Sequence, residues 1–263
     1  MAQKGVTPGL ATVLVGEDGA SAGYVRKKHE TCQDVGIASF NCEIPSNGTQ
    51  AQLLGEIDRL NADPRIDGFL IQHPLPAGFD FNEALLRMAP AKDADGLHPV
   101  NLGKLVLQER GPIPCTPAGI QAMLRHYQIP VAGKEVVIVG RGPTLGRPLS
   151  LLLTLKQEGA NAAVTVVHTG VADISQFTRR ADIIIAAVGV PGFVTPDMVT
   201  PGAVVISGGI SWEGKKLLAD VDEAVGEVAS WITPRLGGVG PTTVAMLLRN
   251  TADAAEARVP TGS

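Results

Sequence analysis

Aromatic side chains are scarce in this chain: six Phe, two Tyr and two Trp in 263 residues. Any core must be built from aliphatic residues, and a hydrophobic fraction of 44% is enough to build a sizeable one. Cysteine is scarcer still. Cys32, Cys42 and Cys115 are an odd number without C-x-x-C spacing, which argues against a disulfide framework or a metal site and fits a reduced cytoplasm. The net charge is only −4 and no basic run is long, so nucleic acid is not an expected partner. No apolar stretch approaches the roughly 18 residues of a membrane span. The opening MAQKGVTPGL lacks the apolar centre of a signal peptide.

What is abundant is Ala, Val, Leu, Ile and Gly, the composition of a parallel α/β protein whose strands are buried on both faces. The pattern predicts a strand at 9–16, a helix from an Ser21 N-cap to about Val35, and a strand at 37–44. A helix follows at 49–63, capped by Thr49, then a strand at 66–75 and a short helix at 82–90. Residues 89–103, rich in Pro and Gly, read as largely loop. A second α/β run starts at 115–127, with Thr116 as cap and Pro117 at the first helical position. Strands at 135–140, 162–168, 181–189 and 202–209 alternate with helices, and a last helix covers about 241–256. Strands separated by helices imply parallel βαβ units.

VVIVGRGPTLGRP (136–148) is a strand, a glycine turn and a helix start. Gly140, Gly142 and Gly146 let the backbone turn tightly and let a pyrophosphate approach the helix N-terminus. The spacing G-x-G-x-x-x-G is one residue longer than the usual dinucleotide fingerprint. An NAD site usually ends its second strand with a carboxylate for the ribose; here that strand ends in His168 and Thr169. With Arg141 inside the turn, the pattern favours the 2′-phosphate of NADP.

Two further stretches carry chemistry. In SAGYVRKK (21–28), Tyr24 and Lys28 are one helical turn apart and project from one face; the plain alternative is a solvated basic helix. In KDADG (92–96), two carboxylates bracket a small residue, as a metal site, an acid/base pair or ordinary turn chemistry would. Taken in order, SAGYVRKK, GFLIQHPLP, KDADGLHPVN, PCTPAGI, VGRGPTLGRP and TPRLGGVGPTTVAMLLRNT resemble the bifunctional methylenetetrahydrofolate dehydrogenase/cyclohydrolase family over nearly the whole chain.

The resemblance implies two α/β domains with a cleft between them, the second a Rossmann-like NADP-binding domain. Residues 1–115 with 241–263 would form the folate-binding catalytic domain, and 116–240 the NADP domain. It implies NADP-dependent oxidation of 5,10-methylenetetrahydrofolate, then hydrolysis of the methenyl product to 10-formyltetrahydrofolate, within one-carbon supply to purine biosynthesis. It also implies a cytoplasmic homodimer without metal, whose final helix returns to the first domain. By motif position, Tyr24 would lie against the folate rings, Lys28 would be the catalytic amine, and Gln72 would hydrogen-bond it. Asp95 would grip the amino-pyrimidine edge of the pterin. Gly140, Arg141, Gly142, Thr169 and Ile210 would contact NADP.

Several positions depart from the family. Where I-D-V-G-I is usual, this chain has ISGGI, so Ser207 replaces an acid and Gly208 a β-branched residue; a glycine inside that strand would loosen the wall beside the nicotinamide. His73 stands where an apolar residue is usual. Members usually carry a helix ahead of the first strand, close to which this chain begins. A dehydrogenase without the hydrolase activity shares the fold but has no use for Lys28 and Gln72. A non-catalytic binder is the other alternative, supported only by Ser207 and Gly208.

Overall fold

GLATVLV contains one polar residue, Thr12, and all seven of its residues are buried. A strand covered on both faces has this composition, and the segment forms β1 (Gly9–Val15). The computed structural model describes residues 6–16, 19–214 and 216–258; the side chains of residues 19–22, 24, 212 and 216 fall outside that description. After β1 come α1 (Gly19–Val35), β2 (Ala38–Ile44), α2 (Gln50–Ala62), β3 (Gly68–Ile71), α3 (Phe81–Arg87) and α4 (Pro99–Leu107). β1 pairs in parallel with both neighbours, giving the order β2-β1-β3. Ala11, Val13 and Val15 pack with Leu53 and Ile57 of α2 and with Phe69 and Ile71 of β3. Thr49 caps α2 reciprocally: its hydroxyl accepts from Gln52 N, and the Gln52 side chain accepts from Thr49 N.

The next run comprises α5 (Cys115–His126), β4 (Glu135–Val139), α6 (Gly146–Thr154), β5 (Ala163–Val167), α7 (Ser175–Thr178), β6 (Ile183–Ala186) and β7 (Val204–Ser207). An antiparallel hairpin of β8 (Ile210–Glu213) and β9 (Lys216–Ala219) follows, then β10 (Trp231–Ile232) and α8 (Val239–Arg258). Five parallel strands form a Rossmann-like sheet in the order β10-β7-β6-β4-β5. Alternate residues of β4 enter two cores, Val136 and Ile138 with Leu149 and Leu153 of α6, Val137 and Val139 with Val194 and Val221. Because β5 lies on one side of β4 and β6 on the other, the strand order reverses at β4, the place where open α/β sheets bind ligands.

The chain divides into two units, Met1–Lys104 with Arg110–Ile113 and Val244–Ser263, and Leu105–Glu109 with Pro114–Thr243. Within the first, α8 is tied to β3 and its flanks. A Cβ on Gly68 would lie 3.2 Å from Thr251 Oγ1, so the helix sits close over the glycine. Asn250 donates to the Ala94 and Ile113 carbonyls, and Arg258 Nε pairs with the buried Asp67 carboxylate at 2.9 Å.

Four local expectations are corrected. α1 is already under way at Gly19, so Ser21 is not its N-cap. α5 begins at Cys115 after Pro114, which leaves Thr116 inside the helix, where its hydroxyl accepts from Thr243 Oγ1 at 3.2 Å. The loop expected over 89–103 gives way to α4 from Pro99: proline suits a first helical position, and His98 caps the turn by accepting from Val100 N on Nδ1. β7 ends at Ser207, so Gly208 lies beyond the strand rather than in it. A side chain there would meet Leu145 Cδ2 at 2.6 Å, so the space is already filled and the wall is not loosened.

Candidate active site

α1 buries Val25, Lys28 and Cys32, a spacing of three and four residues that makes one helical stripe, while Arg26 and Lys27 are exposed. Lys28 is therefore placed inward by the same periodicity that packs the helix, and it is only 5% exposed. Gln72 directly follows β3 and extends its ladder, its N–H donating to Val13 O at 2.8 Å. Lys28 lies on α1, the helix that follows β1, and Gln72 follows β3, the strand paired in parallel with β1, so the fold joins positions 44 residues apart. Lys28 Nζ donates to Gln72 Oε1 at 3.0 Å. The other end of the amide is spent on the His73 carbonyl, to which Nε2 donates at 3.0 Å. That second bond orients the amide so that oxygen faces the amine. Gln72 thus accepts from Lys28 and does not compete for the lone pair of a neutral amine.

Two titratable groups near Lys28 on α1 are held uncharged. Burial, with a smaller contribution from the Lys28 charge, holds His29 below the ordinary imidazole value, so its ring is neutral near pH 7. The ring is held by a short hydrogen bond between Nδ1 and Ser39 Oγ. Burial likewise pushes the Cys32 thiol up and keeps it protonated. Tyr24 lies on α1 four residues before Lys28; its side chain falls outside the described residues. His73 is exposed and meets the Phe81 ring edge-on.

The two carboxylates of KDADG do different things. Asp93 is 2% exposed and forms a parallel bridge with Phe69 of β3. It accepts from the backbone N–H groups of Gly96, Leu97 and His98 and from Asn101 Nδ2. Four donors on one carboxylate shape the loop, a role the sequence did not separate from that of its neighbour. Asp95 is half-buried and stands two residues further along the direction of β3, toward the end where Gln72 follows. A groove of about 1010 Å³ in the same unit lies at the opposite, starting end of β3, against Asp67, Lys92 and Arg258. None of the predicted site residues lines it.

In the second unit, Gly140 ends β4 with φ 123°, a conformation open to glycine. A Cβ there would lie 2.2 Å from Ala187 O, and one on Gly146 would lie 2.2 Å from Gly140 O. Both glycines are needed so that the turn folds against β6 and opens α6. Gly142 has open space around its Cβ position. Arg141, Thr169 and Ile210 are exposed and follow β4, β5 and β7 at the C-terminal edge of the sheet. Arg141 and Thr169 belong to neighbouring strand ends, and β5 is followed by His168 and Thr169 rather than by a carboxylate, an arrangement suited to a phosphate-bearing ribose. A tight glycine turn, a helix start and a switch point together fit a dinucleotide.

Comparison with known proteins agrees with this geometry. Residues 1–95 match the tetrahydrofolate dehydrogenase/cyclohydrolase catalytic domain, and residues 114–259 match the NAD(P)-binding domain of the same family. A curated relative, the bifunctional protein FolD of Syntrophotalea carbinolica, is 72% identical over 97% of this chain and 88% of its own. The crystal structure of the bifunctional FolD dehydrogenase/cyclohydrolase of Campylobacter jejuni superposes with a TM-score of 0.93 at 41% identity, covering 98% of this chain and 91% of that one. The Trypanosoma brucei enzyme, complexed with NADP cofactor and inhibitor, gives a TM-score of 0.92 at 38% identity, over 99% and 90% of the two chains.

The glycine turn generates a paired prediction. Gly140→Ala combines a disfavoured φ with a backbone clash and should lower stability by at least about 1–3 kcal/mol. Gly142→Ala meets nothing within 4 Å and should stay within about 0.5 kcal/mol of the parent. Thermal unfolding of the two variants checks this; equal midpoints would contradict it.

Proposed function

The chain belongs to the tetrahydrofolate dehydrogenase/cyclohydrolase family, and from that premise we propose how its residues divide the two reactions. The protein is a bifunctional enzyme. It oxidises 5,10-methylenetetrahydrofolate with NADP and hydrolyses the resulting 5,10-methenyl compound to 10-formyltetrahydrofolate. Residues 1–115 with 241–263 form the folate-binding catalytic domain, and residues 116–240 the NADP domain. The observation that carries the assignment is the buried Lys28 amine held 3.0 Å from Gln72 Oε1.

Hydrolysis needs a group that takes a proton from water as the oxygen attacks the methenyl carbon. A lysine amine in water has a pKa near 10.4 and is almost wholly protonated at neutral pH. Burial disfavours the charged form, and the bound methenyl compound is itself a cation, which disfavours it further. Lys28 is the base, and Gln72 holds the amine by accepting a hydrogen bond from it while leaving the lone pair for water. Because the substrate carbon is already electrophilic, the hydrolysis needs no metal. Asp95 accepts the paired N–H donors of the pterin edge in a bidentate way. Tyr24 offers the ring system an aromatic face.

NADP supplies the hydride acceptor for the oxidation. The Gly140 turn and the start of α6 hold its pyrophosphate, Gly142 gives the turn room, Arg141 with Thr169 meets the 2′-phosphate, and Ile210 lines the nicotinamide end. The family resemblance also supports a cytoplasmic homodimer feeding one-carbon units to purine biosynthesis. Among the described residues, no helix is long and apolar enough to cross a membrane.

Two measurements test these roles. A charge-assisted contact contributes roughly 1.5–3 kcal/mol, about 10- to 150-fold in affinity. Arg141→Ala should raise KM for NADP by a factor in that range and leave KM for NAD nearly unchanged. Equal use of both cofactors by the parent protein would sink the assignment. Lys28→Met keeps the apolar stem and deletes the amine. Its hydrolase activity should vanish while the dehydrogenase, which depends on the orientation of two rings, stays measurable and methenyltetrahydrofolate accumulates as an absorbing species. Formyl product at the parental enzymatic rate would rule out Lys28 as the base.

A further inference from the structure

The second unit holds a buried carboxylate that neither proposed reaction uses. Asp220, immediately after β9, is 0% exposed. Its Oδ2 accepts from Val188 N at 2.7 Å and Gly189 N at 3.0 Å. Two successive backbone donors beyond β6 thus converge on one carboxylate oxygen, while the buried Oδ1 has no hydrogen-bond partner among the described residues. Such a run of N–H groups is a nest of the kind that binds phosphate; here a side chain of the protein fills it. Burial pushes the carboxyl up, and the backbone N–H groups pull against that.

The same residue stitches its surroundings by backbone. Asp220 N donates to Gly209 O at 3.3 Å, and Asp220 O accepts from Val194 N at 3.0 Å. Gly209 is pressed against the carboxylate: a Cβ there would lie 1.9 Å from Asp220 Oδ2. Ser211 Oγ donates to Gly189 O at 2.9 Å and closes the triangle. Three segments, 188–190 after β6, 209–211 after β7 and the end of β9, therefore meet on one side chain. Their position matters. Ala187, one residue before the nest, is the residue that the Gly140 turn folds against, and Ile210 directly follows Gly209. The carboxylate lies at the C-terminal ends of β6, the neighbour of β4 and its glycine turn, and of β7, one strand further out.

We propose that Asp220 is a positioning residue for hydride transfer. Its carboxylate fixes the Val188–Gly189 loop and the Gly209–Ile210 turn in the shape that receives the nicotinamide half of NADP. It also keeps the 188–190 nest closed to the cofactor's phosphates, which leaves the Gly140 turn as their site. The inference rests on the assignment of NADP to this unit. Hydrolysis draws on Lys28 and Gln72 of the other unit, so the two activities of one chain give an internal control.

The test compares Asp220→Ala, Asp220→Asn and Gly209→Ala with the parent, measuring dehydrogenase kcat and KM for NADP and, separately, hydrolysis of added methenyltetrahydrofolate. Parental turnover of both substrates first establishes the functional reading itself; its absence would overturn that reading and this one with it. Asp220→Ala should lower dehydrogenase kcat/KM for NADP about tenfold or more, with hydrolysis within about twofold of the parent. Asp220→Asn keeps an oxygen that accepts both N–H groups and should restore most of the loss. Gly209→Ala displaces the carboxylate from the other side and should reproduce the Asp220→Ala pattern; it decides the matter if Asp220→Ala does not fold. Unchanged dehydrogenase kinetics in the folded variants, or a parallel fall in both activities, would overturn the proposal.

Discussion

A lysine amine taken out of water needs an acceptor, and the account of this protein depends on how Gln72 supplies one. The hydrogen bond from Lys28 Nζ to Gln72 Oε1 spans 3.0 Å in a setting that leaves Lys28 only 5% exposed. Neither residue could provide this alone. Lys28 is carried inward by the Val25–Lys28–Cys32 stripe of α1, and Gln72 is fixed by the β1 ladder and by its own bond to His73 O. The bond to His73 decides the polarity of the pair. With its amide nitrogen occupied, Gln72 presents oxygen, and an acceptor there leaves a neutral amine able to act as a base.

The same economy recurs in the loops that serve the proposed sites. Asp93 gathers four donors and shapes KDADG, the loop that carries Asp95. Asp220 gathers the N–H groups beyond β6 and shapes the edge beside the glycine turn. Asp93 is satisfied by three backbone N–H groups and Asn101 Nδ2, whereas the backbone donors on Asp220 Oδ2 only partly offset the burial that pushes its carboxyl up.

Much of this was legible in the sequence, and what was not has a physical reason. The aliphatic strands announced a doubly covered parallel sheet, and the glycine turn announced its own steric need. Lys28 stood out by its spacing from Tyr24, whereas the roles proposed for Gln72 and Asp95 came from the family resemblance. Asp93 did not stand out, because two carboxylates in KDADG look alike until burial separates them. Asp220 left no motif at all: its partners are backbone N–H groups, which every residue but proline carries. Helix α4 was hidden by the Pro and Gly around it, although Pro99 sits where a helix tolerates proline. Gly208 read as a weak point in a strand, whereas the strand stops one residue earlier and Leu145 fills the space.

The central claim is that one buried amine takes the proton from water. The most direct test is the hydrolysis rate of methenyltetrahydrofolate between pH 5 and 9, with spontaneous hydrolysis subtracted. The account predicts a rate that rises with pH and levels at an apparent pKa below the ordinary lysine value of about 10.4. A pH-independent enzymatic rate across the range, or the same rising limb in a protein lacking the amine, would contradict it.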